Sequence, residues 1–312
     1  MLDEAAPAVS VRGLRKQFGA VTAVEGFDLE VRRGELFGLV GPDGAGKTTS
    51  LRMIATVMLP DSGSGTVAGL DLARQAEAIK TRIGYVPQRF SLYGELTVRE
   101  NLDFFADIFQ VFGAVRESRF EQVLQFSRLG PFQDRLARDL SGGMKQKLAL
   151  SCALVHTPDV LLLDEPTTGV DPISRRELWK LLFELWRGGT TILVTTPYMD
   201  EAERCQRIGF MNSGRLIEVA TPAELKAAYP YVVIEVACSD RQRARRELVA
   251  EPGVRGVELF GDKIHVKVVS AGEWIERIPE LLQARGIEVE HCRRVPPSVE
   301  DVFLHRVGGE QS

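Results

Sequence analysis

Eight consecutive residues, Gly41-Pro42-Asp43-Gly44-Ala45-Gly46-Lys47-Thr48, constrain this chain more than any other stretch. They fit the spacing G-x-x-x-x-G-K-[S/T], follow the apolar run 36–40 (LFGLV) and precede a helical pattern over 47–58. Glycines let the backbone curl until successive N–H groups face one point, and the helix start adds its positive dipole end, so such a turn cradles phosphate. The loop residues 41–46 together with Thr49 are the expected cradle, Lys47 reaches the β- and γ-phosphates, and the Thr48 hydroxyl completes a magnesium shell. A strand, a glycine loop and a helix in that order commit the chain to an α/β sheet.

The wider pattern agrees. Residues 9–15 and 27–31 alternate like strands, while 160–163 and 191–195 are the unbroken apolar runs of parallel strands covered on both faces. Helical patterns lie between them at 97–112, 117–129, 141–155 and 172–187, the last opening on Pro172 after Asp171. The helices crowded between about 90 and 155 read as a helical subdomain inserted into a mostly parallel sheet. After residue 220 the order becomes strand (231–237), helix (240–250), strand (254–260), strand (263–269), helix (272–285), strand (287–293) and a closing helix (298–307). That β-α-β-β-α-β order predicts a small α+β domain of the ferredoxin-like kind over 231–312, joined to the first domain, 1–220, by a linker at 221–230. Its arginine cluster, Arg241, Arg243, Arg245 and Arg246, is interspersed with Asp240, Glu247 and Glu251 and reads as a solvated helix face.

Composition sets outer limits. With 39 Lys and Arg against 43 Asp and Glu, a net charge of −4 offers no bulk field for a nucleic-acid backbone, so no nucleic-acid partner is expected. Asp107 interrupts 104–115, and His156, Pro158 and Asp159 interrupt 148–163, so no stretch reaches the 18 or more apolar residues of a membrane span. Asp3 and Glu4 open the chain in place of a secretion signal. Cys152, Cys205, Cys238 and Cys292 are too scattered for a metal knuckle and too few for a disulfide scaffold, which points to a reducing, cytoplasmic compartment.

Two carboxylates, Asp164 and Glu165, end the apolar run at 160–163, the edge where open α/β sheets bind ligands. Downstream of a phosphate loop, Asp164 is the expected magnesium carboxylate and Glu165 the group that polarises an attacking water. A third element, Leu140-Ser141-Gly142-Gly143-Met144-Lys145-Gln146, places Ser141 as an N-cap and leaves two glycines at a second helix start able to meet an anion.

This last element resembles the signature motif of ABC-type ATPases, and the landmarks of that family follow in order over about residues 8–220. The resemblance implies a P-loop ATPase of ABC type that uses ATP and Mg2+. By the same resemblance Phe18 stacks on adenine, Gln88 of Tyr85-Val86-Pro87-Gln88 is the hinge glutamine that also reaches the metal, and Gly169-Val170-Asp171 crosses a dimer interface. Ser141, Gly142, Gly143 and Asp171 would then serve a nucleotide held by a second ABC ATPase domain packed head to tail, in a homodimer or a heterodimer. The ending Pro297-Ser298-Val299-Glu300-Asp301-Val302-Phe303 is similar to the C-terminal domain of ATPase subunits of ABC-2 type exporters, the daunorubicin-resistance group among them, and the loop resembles one half of fused two-ATPase subunits. It implies an exporter motor peripheral on the cytoplasmic face of the membrane, driving integral permease subunits that dock near residues 88–93, where Phe90 and Tyr93 suit a groove. A regulatory subunit that scarcely hydrolyses ATP and a soluble, non-transport ABC ATPase stay open as alternatives.

The sequence departs from the family at two positions. After 191–196 the family places a switch histidine that contacts the γ-phosphate, and this chain has Pro197; none of His156, His265, His291 or His305 stands in that loop. Thr196 is expected to cap the next helix with Pro197 at its first position, which keeps the fold and removes one catalytic contact. Loss of a preorganised donor of this kind costs roughly 10²- to 10³-fold in rate, so slow hydrolysis is expected at this chain's own loop. Asp43 stands where most relatives carry asparagine; a carboxylate there is unfavourable beside phosphates unless it points away or accepts loop N–H groups.

Overall fold

The structure is a computed structural model that describes residues 6–89 and 91–309; Phe90 lies outside them. The chain divides into two compact units, residues 1–221 and 222–312.

The first unit is built on a six-stranded sheet. Its centre is β3 (Leu36–Val40), β7 (Val160–Asp164) and β8 (Thr191–Thr196), every residue of which is buried. Apolar side chains on both faces make these strands stable only when covered on both sides, and parallel pairing supplies that cover through crossover helices. Around them, β6 (Ile83–Val86) pairs with β7 and β9 (Arg207–Asn212) with β3, both parallel, while β10 (Arg215–Ala220) folds back antiparallel on β9 at the edge. The order is β10-β9-β3-β8-β7-β6, so β3 and β7 flank β8 and bring their carboxyl ends together.

A second, antiparallel sheet contains the two strands expected at 9–15 and 27–31 and adds two that the sequence reading did not anticipate. It consists of β1 (Val9–Phe18), β2 (Val21–Val31), β4 (Ser62–Val67) and β5 (Leu70–Asp71), in the order β2-β1-β4-β5. Helix α1 (Lys47–Ile54) packs beneath it, its Leu51, Met53 and Ile54 joining Val9, Val11, Phe27 and Leu29 in one core. The short α2 (Ala76–Lys80) leads to β6. Between β6 and β7 lie α3 (Val98–Ile108), α4 (Gly113–Ser127) and α5 (Gly142–Leu154), with 3-10 turns at Gly130–Phe132 and Ala137–Asp139 and one isolated bridge, Thr97 to Leu136. Helix α3 opens on a reciprocal cap, Thr97 Oγ1 accepting from Glu100 N and Glu100 Oε2 from Thr97 N. Helix α6 (Pro172–Arg187) and α7 (Met199–Ala202) follow β7 and β8.

In the second unit the residues expected as a linker form a helix, α8 (Pro222–Ala227), because Leu225 is buried and anchors that segment within the unit. The βαββαβ order appears as β11 (Val232–Cys238), α9 (Arg241–Val249), β12 (Val254–Phe260), β13 (Lys263–Val268), α10 (Trp274–Ala284) and β14 (Val289–Val295), closed by α11 (Val299–Gly309). The four strands are antiparallel in the order β12-β13-β11-β14. Ile234, Val236, Ile264 and Val266 face Ala244 and Leu248 of α9 and Trp274, Ile278 and Leu282 of α10. The arginines of α9 stay exposed, opposite Ala244 and Leu248; Arg241 and Arg245 donate to the carbonyls of Gly261 and Val257.

Alternate residues point to the other face of this sheet, which is charged. Glu235 accepts from Arg293 and His291 and pairs with Lys263, and His265 Nδ1 meets Asp301 Oδ1 of α11 at 3.0 Å. The tail motif thereby acquires a structural role. Asp301 N donates to Ser298 Oγ and Asp301 Oδ2 accepts from Ser298 N, a reciprocal cap that starts α11 and holds its aspartate against the β13 histidine.

Candidate nucleotide-binding site

The loop between β3 and α1 has the geometry its glycines call for. Gly44 and Gly46 adopt φ +78° and +101°, and a Cβ on Gly46 would lie 2.4 Å from the Ala23 carbonyl oxygen, so no other residue fits there. Ala45 N turns back to Pro42 O, whereas the N–H groups of Gly44 and of 46–49 find no acceptor among the described residues. Those free donors, with the first turn of α1, form the anion cradle. The cleft they face has a volume of about 320 Å³ and is lined by Phe18, Ala23, Asp43, Gly44, Ala45, Gly46, Lys47, Thr48, Thr49, Gln88 and Glu165. Phe18 ends β1 half-exposed beside it, and Asp43 is exposed and takes no loop N–H among the described residues. Gly41 and Pro42 are absent from the lining because they act from behind: their carbonyls accept from Lys47 Nζ at 2.8 and 2.9 Å.

The lysine also meets the carboxylate pair. Lys47 Nζ lies 3.1 Å from Glu165 Oε1, both side chains being buried. Glu165 Oε2 accepts from Gln88 Nε2 at 2.8 Å and from Thr168 Oγ1 at 3.2 Å, so the glutamine expected as the hinge and the carboxylate expected as the base are in direct contact. Glu165 sits at φ +47°, an uncommon backbone state for glutamate, held by its N–H donating to the carbonyl and the Oγ1 of Thr195.

Asp164 is placed for a cation. Its Oδ1 accepts from Thr48 Oγ1 at 2.9 Å and from Thr195 Oγ1 at 3.0 Å, while Oδ2 is buried without a partner among the described residues. Burial pushes its carboxyl above the ordinary range, and the two threonine hydroxyls oppose that rise. A buried carboxylate with one open oxygen beside a threonine hydroxyl is a hard oxygen donor set, and it suits magnesium. Gln88 approaches Glu165 through its NH2 group, so the metal role that the family resemblance gives it would fall to Oε1.

The signature residues lie outside this cleft. Ser141 caps α5, its Oγ accepting from Met144 N, and Gly142 has open space where a Cβ would stand. Gly143 differs from the expected phosphate clearance: a Cβ there would meet Ser174 Oγ at 2.4 Å, so this glycine lets α5 approach α6. Asp171 caps α6, accepting from Ile173 N and Ser174 N at 3.0 Å. Ser141, Gly142, Gly143 and Asp171 are thus not brought to the chain's own phosphate loop.

Pro197 precedes α7 differently from expectation. The helix starts at Met199 with Tyr198 at the cap position, because the Thr196 hydroxyl is committed elsewhere. It accepts from Tyr198 N at 3.1 Å and donates to Glu201 Oε2 at 2.7 Å. Glu201, only 1% exposed, also accepts from Thr167 Oγ1 at 2.9 Å and from Arg175 at 2.8 and 3.1 Å. This carboxylate ties the segment after Glu165 to the segment before Pro197. The sequence reading did not single out Thr195, Thr168 or Glu201. Thr195 left a trace, a polar residue near the end of an apolar buried strand; Thr168 acts within the local turn three residues after Glu165, and Glu201 becomes visible only through tertiary contact with Thr167 and Arg175.

Comparison with known proteins agrees with this geometry. Residues 24–168 match the family described as ABC transporter, and residues 221–307 match the ATP-binding protein DrrA1-3-like, C-terminal domain. The chain is 42% identical over 307 residues to the probable multidrug ABC transporter ATP-binding protein YbhF of Escherichia coli (strain K12), covering 96% of this chain and 52% of that protein, so it spans about half the length of that relative. It is 38% identical over 306 residues to the daunorubicin resistance ATP-binding protein DrrA2 of Streptomyces coeruleorubidus, covering 96% and 95%. Among solved structures, an ATP binding subunit of an ABC transporter matches at 30% identity and a TM-score of 0.65, over 70% of this chain and 92% of that one. The dimeric ABC transporter cassette MJ0796, in a post-hydrolysis state bound to ADP and Pi, matches at 27% identity and a TM-score of 0.62, over 68% and 98%. Among the described residues no helix is long and apolar enough to cross a membrane. With its phosphate loop, carboxylate pair and capped signature helix in place, the chain belongs to the ABC transporter ATP-binding protein family and carries that family's DrrA-like C-terminal domain.

Proposed function

We propose that this chain is the ATP-hydrolysing motor subunit of an ABC-2 type exporter, working as one of two ATPase domains beneath a separate membrane permease. The observation that carries the reading is the split between the two anion-binding helix starts. Lys47, Thr48, Asp164, Gln88 and Glu165 converge on one cleft, while the Ser141 cap and Gly142 stand outside it with open space in front. A second domain packed head to tail would set its own signature helix against this cleft and receive this chain's in return.

In that arrangement the loop N–H groups and Lys47 bind the triphosphate, and Thr48 and Asp164 would hold a magnesium ion, which would supply neutralisation of phosphate charge. Glu165 orients the attacking water, and Gln88 reports the state of that carboxylate to the helical subdomain. Two nucleotides bound between two chains favour the closed pair, and phosphate release reopens it. The names of the relatives support export: one is a daunorubicin resistance protein, and another, 37% identical over 311 residues, is the Nod factor export ATP-binding protein I of Ralstonia nicotianae. Tyr93 is half-exposed, which supports its use in docking the permease.

Pro197 favours a modification of this reading, in which the chain's own site hydrolyses slowly and its signature serves a faster site on the partner. Affinity purification from membranes under mild detergent tests the main proposal. An integral membrane protein is expected to copurify in constant ratio; a chain recovered only from the membrane-free fraction contradicts it.

A further inference from the structure

Two buried oxygens near the cation-binding carboxylate have no partner among the described residues: Asp164 Oδ2 and the Tyr85 hydroxyl. They come from adjacent strands. β6 runs parallel to β7 with Tyr85 opposite Leu162, so Tyr85 and Asp164, two residues further on, project from the same side of the sheet as diagonal neighbours. That side is the one α1 covers, and the Tyr85 ring packs against the core containing Leu51, Ile54 and Leu162.

Helix α1 adds the remaining parts. Thr48 and Arg52, four residues apart, share a helix face. Thr48 already bonds Asp164 Oδ1, and the Arg52 charge acts on both the phenol and the carboxylate.

A buried donor and a buried acceptor are seldom left side by side unpaired. The Tyr85 hydroxyl lies within interaction range of both Asp164 and Arg52, a donor set beside the open carboxylate oxygen. The aromatic ring accounts for the packing, and phenylalanine would serve that purpose equally well; the hydroxyl requires another explanation. We propose that Tyr85 is a positioning residue for the cation site, its hydroxyl poised beside Arg52 to donate to Asp164 Oδ2 so that the carboxylate is already oriented when magnesium binds. This rests on the reading of the cleft as a Mg-ATP site, and it extends that site beyond its loop motifs to a strand residue.

The test is equilibrium titration of the full chain with a fluorescent ATP analogue, first in EDTA and then against increasing Mg2+. Tyr85→Phe is expected to raise the half-saturating Mg2+ concentration about tenfold, the size of effect seen when the outer partner of a metal ligand is removed, and to leave binding in EDTA within about twofold. An unchanged half-saturation overturns the proposal. Equal weakening with and without Mg2+ also overturns it, because that marks a packing effect. A parent chain that binds no analogue at all overturns the site reading and the proposal with it, and that result appears in the first titration, before any variant is made.

Discussion

Lys47 and Glu165 form an ion pair at 3.1 Å with side chains only 3% and 6% exposed, so the lysine of the phosphate loop and the carboxylate proposed as the base neutralise each other. A triphosphate claims the lysine. Glu165 is then left facing phosphate oxygens with hydrogen bonds from Gln88 and Thr168 and without a formal counter-charge. Replacing it by glutamine keeps the shape and removes the repulsion. Glu165→Gln is expected to bind ATP several-fold more tightly and to hydrolyse it roughly 10²- to 10⁴-fold more slowly, the range for loss of a positioned base. Fluorescent-nucleotide titration and phosphate release measure both quantities; weaker binding would contradict the pairing argument.

Pro197 stands where the family resemblance calls for an imidazole. The loop around it is held by Thr196 and Glu201 whatever residue 197 is, so a histidine can be introduced without dismantling the turn. In the chain purified with its membrane partner, Pro197→His is expected to raise turnover by about 10²- to 10³-fold. Equal turnover in the two proteins removes the slow-site reading.

The buried Glu201 carboxylate is a strut between the two loops that flank the site. Removing this buried carboxylate leaves the Thr167 and Thr196 hydroxyls without an acceptor and Arg175 with only its longer contact to Asp200, at 3.7 Å, and the expected loss for Glu201→Ala is about 3 kcal/mol. Urea unfolding of the parent and the variant gives the number, and a loss below about 1 kcal/mol would show that the network is dispensable.

In the second unit, burial raises the Glu235 carboxyl, but bonds from Arg293, Lys263 and His291 outweigh it and hold the group at about 2, against its ordinary 4.5. The folded value is depressed, so the stabilisation is complete above about pH 4.5 and is lost as the pH falls toward 2. A shift of that size corresponds to about 3 kcal/mol. Hydrogen exchange of the β11 amides is expected to show Glu235→Gln less protected than the parent at neutral pH. The difference should shrink steadily below pH 4.5; a difference that does not depend on pH would mean the ion pairs are not its source.

Much of the site was legible in the sequence because phosphate binding demands specific residues at fixed spacing. Lys47 and Thr48 need the glycine turn before them, and Asp164 and Glu165 need a buried strand behind them, so local order carries the information. What stayed hidden depends on tertiary pairing. The strand Ser62–Val67 is glycine or serine at four of its six positions and carries no apolar alternation; it becomes a strand only because β1 lies beside it. Residues 221–230 look like a linker until Leu225 is seen buried. Gly143 reads as a phosphate glycine until Ser174 of α6 is found in the space its side chain would fill. Thr195 and Thr168 hold the two carboxylates from segments 31 and 3 residues away, and no spacing rule connects them.

The central claim, a head-to-tail pair closed around two nucleotides, is tested most directly by native mass spectrometry of Glu165→Gln with Mg-ATP in the presence of its membrane partner. The account predicts a complex containing two ATPase domains and two ATP molecules, which Ser141→Arg in the signature cap abolishes without preventing ATP binding. A chain that binds ATP and remains a single ATPase domain, even with the permease present, would contradict it.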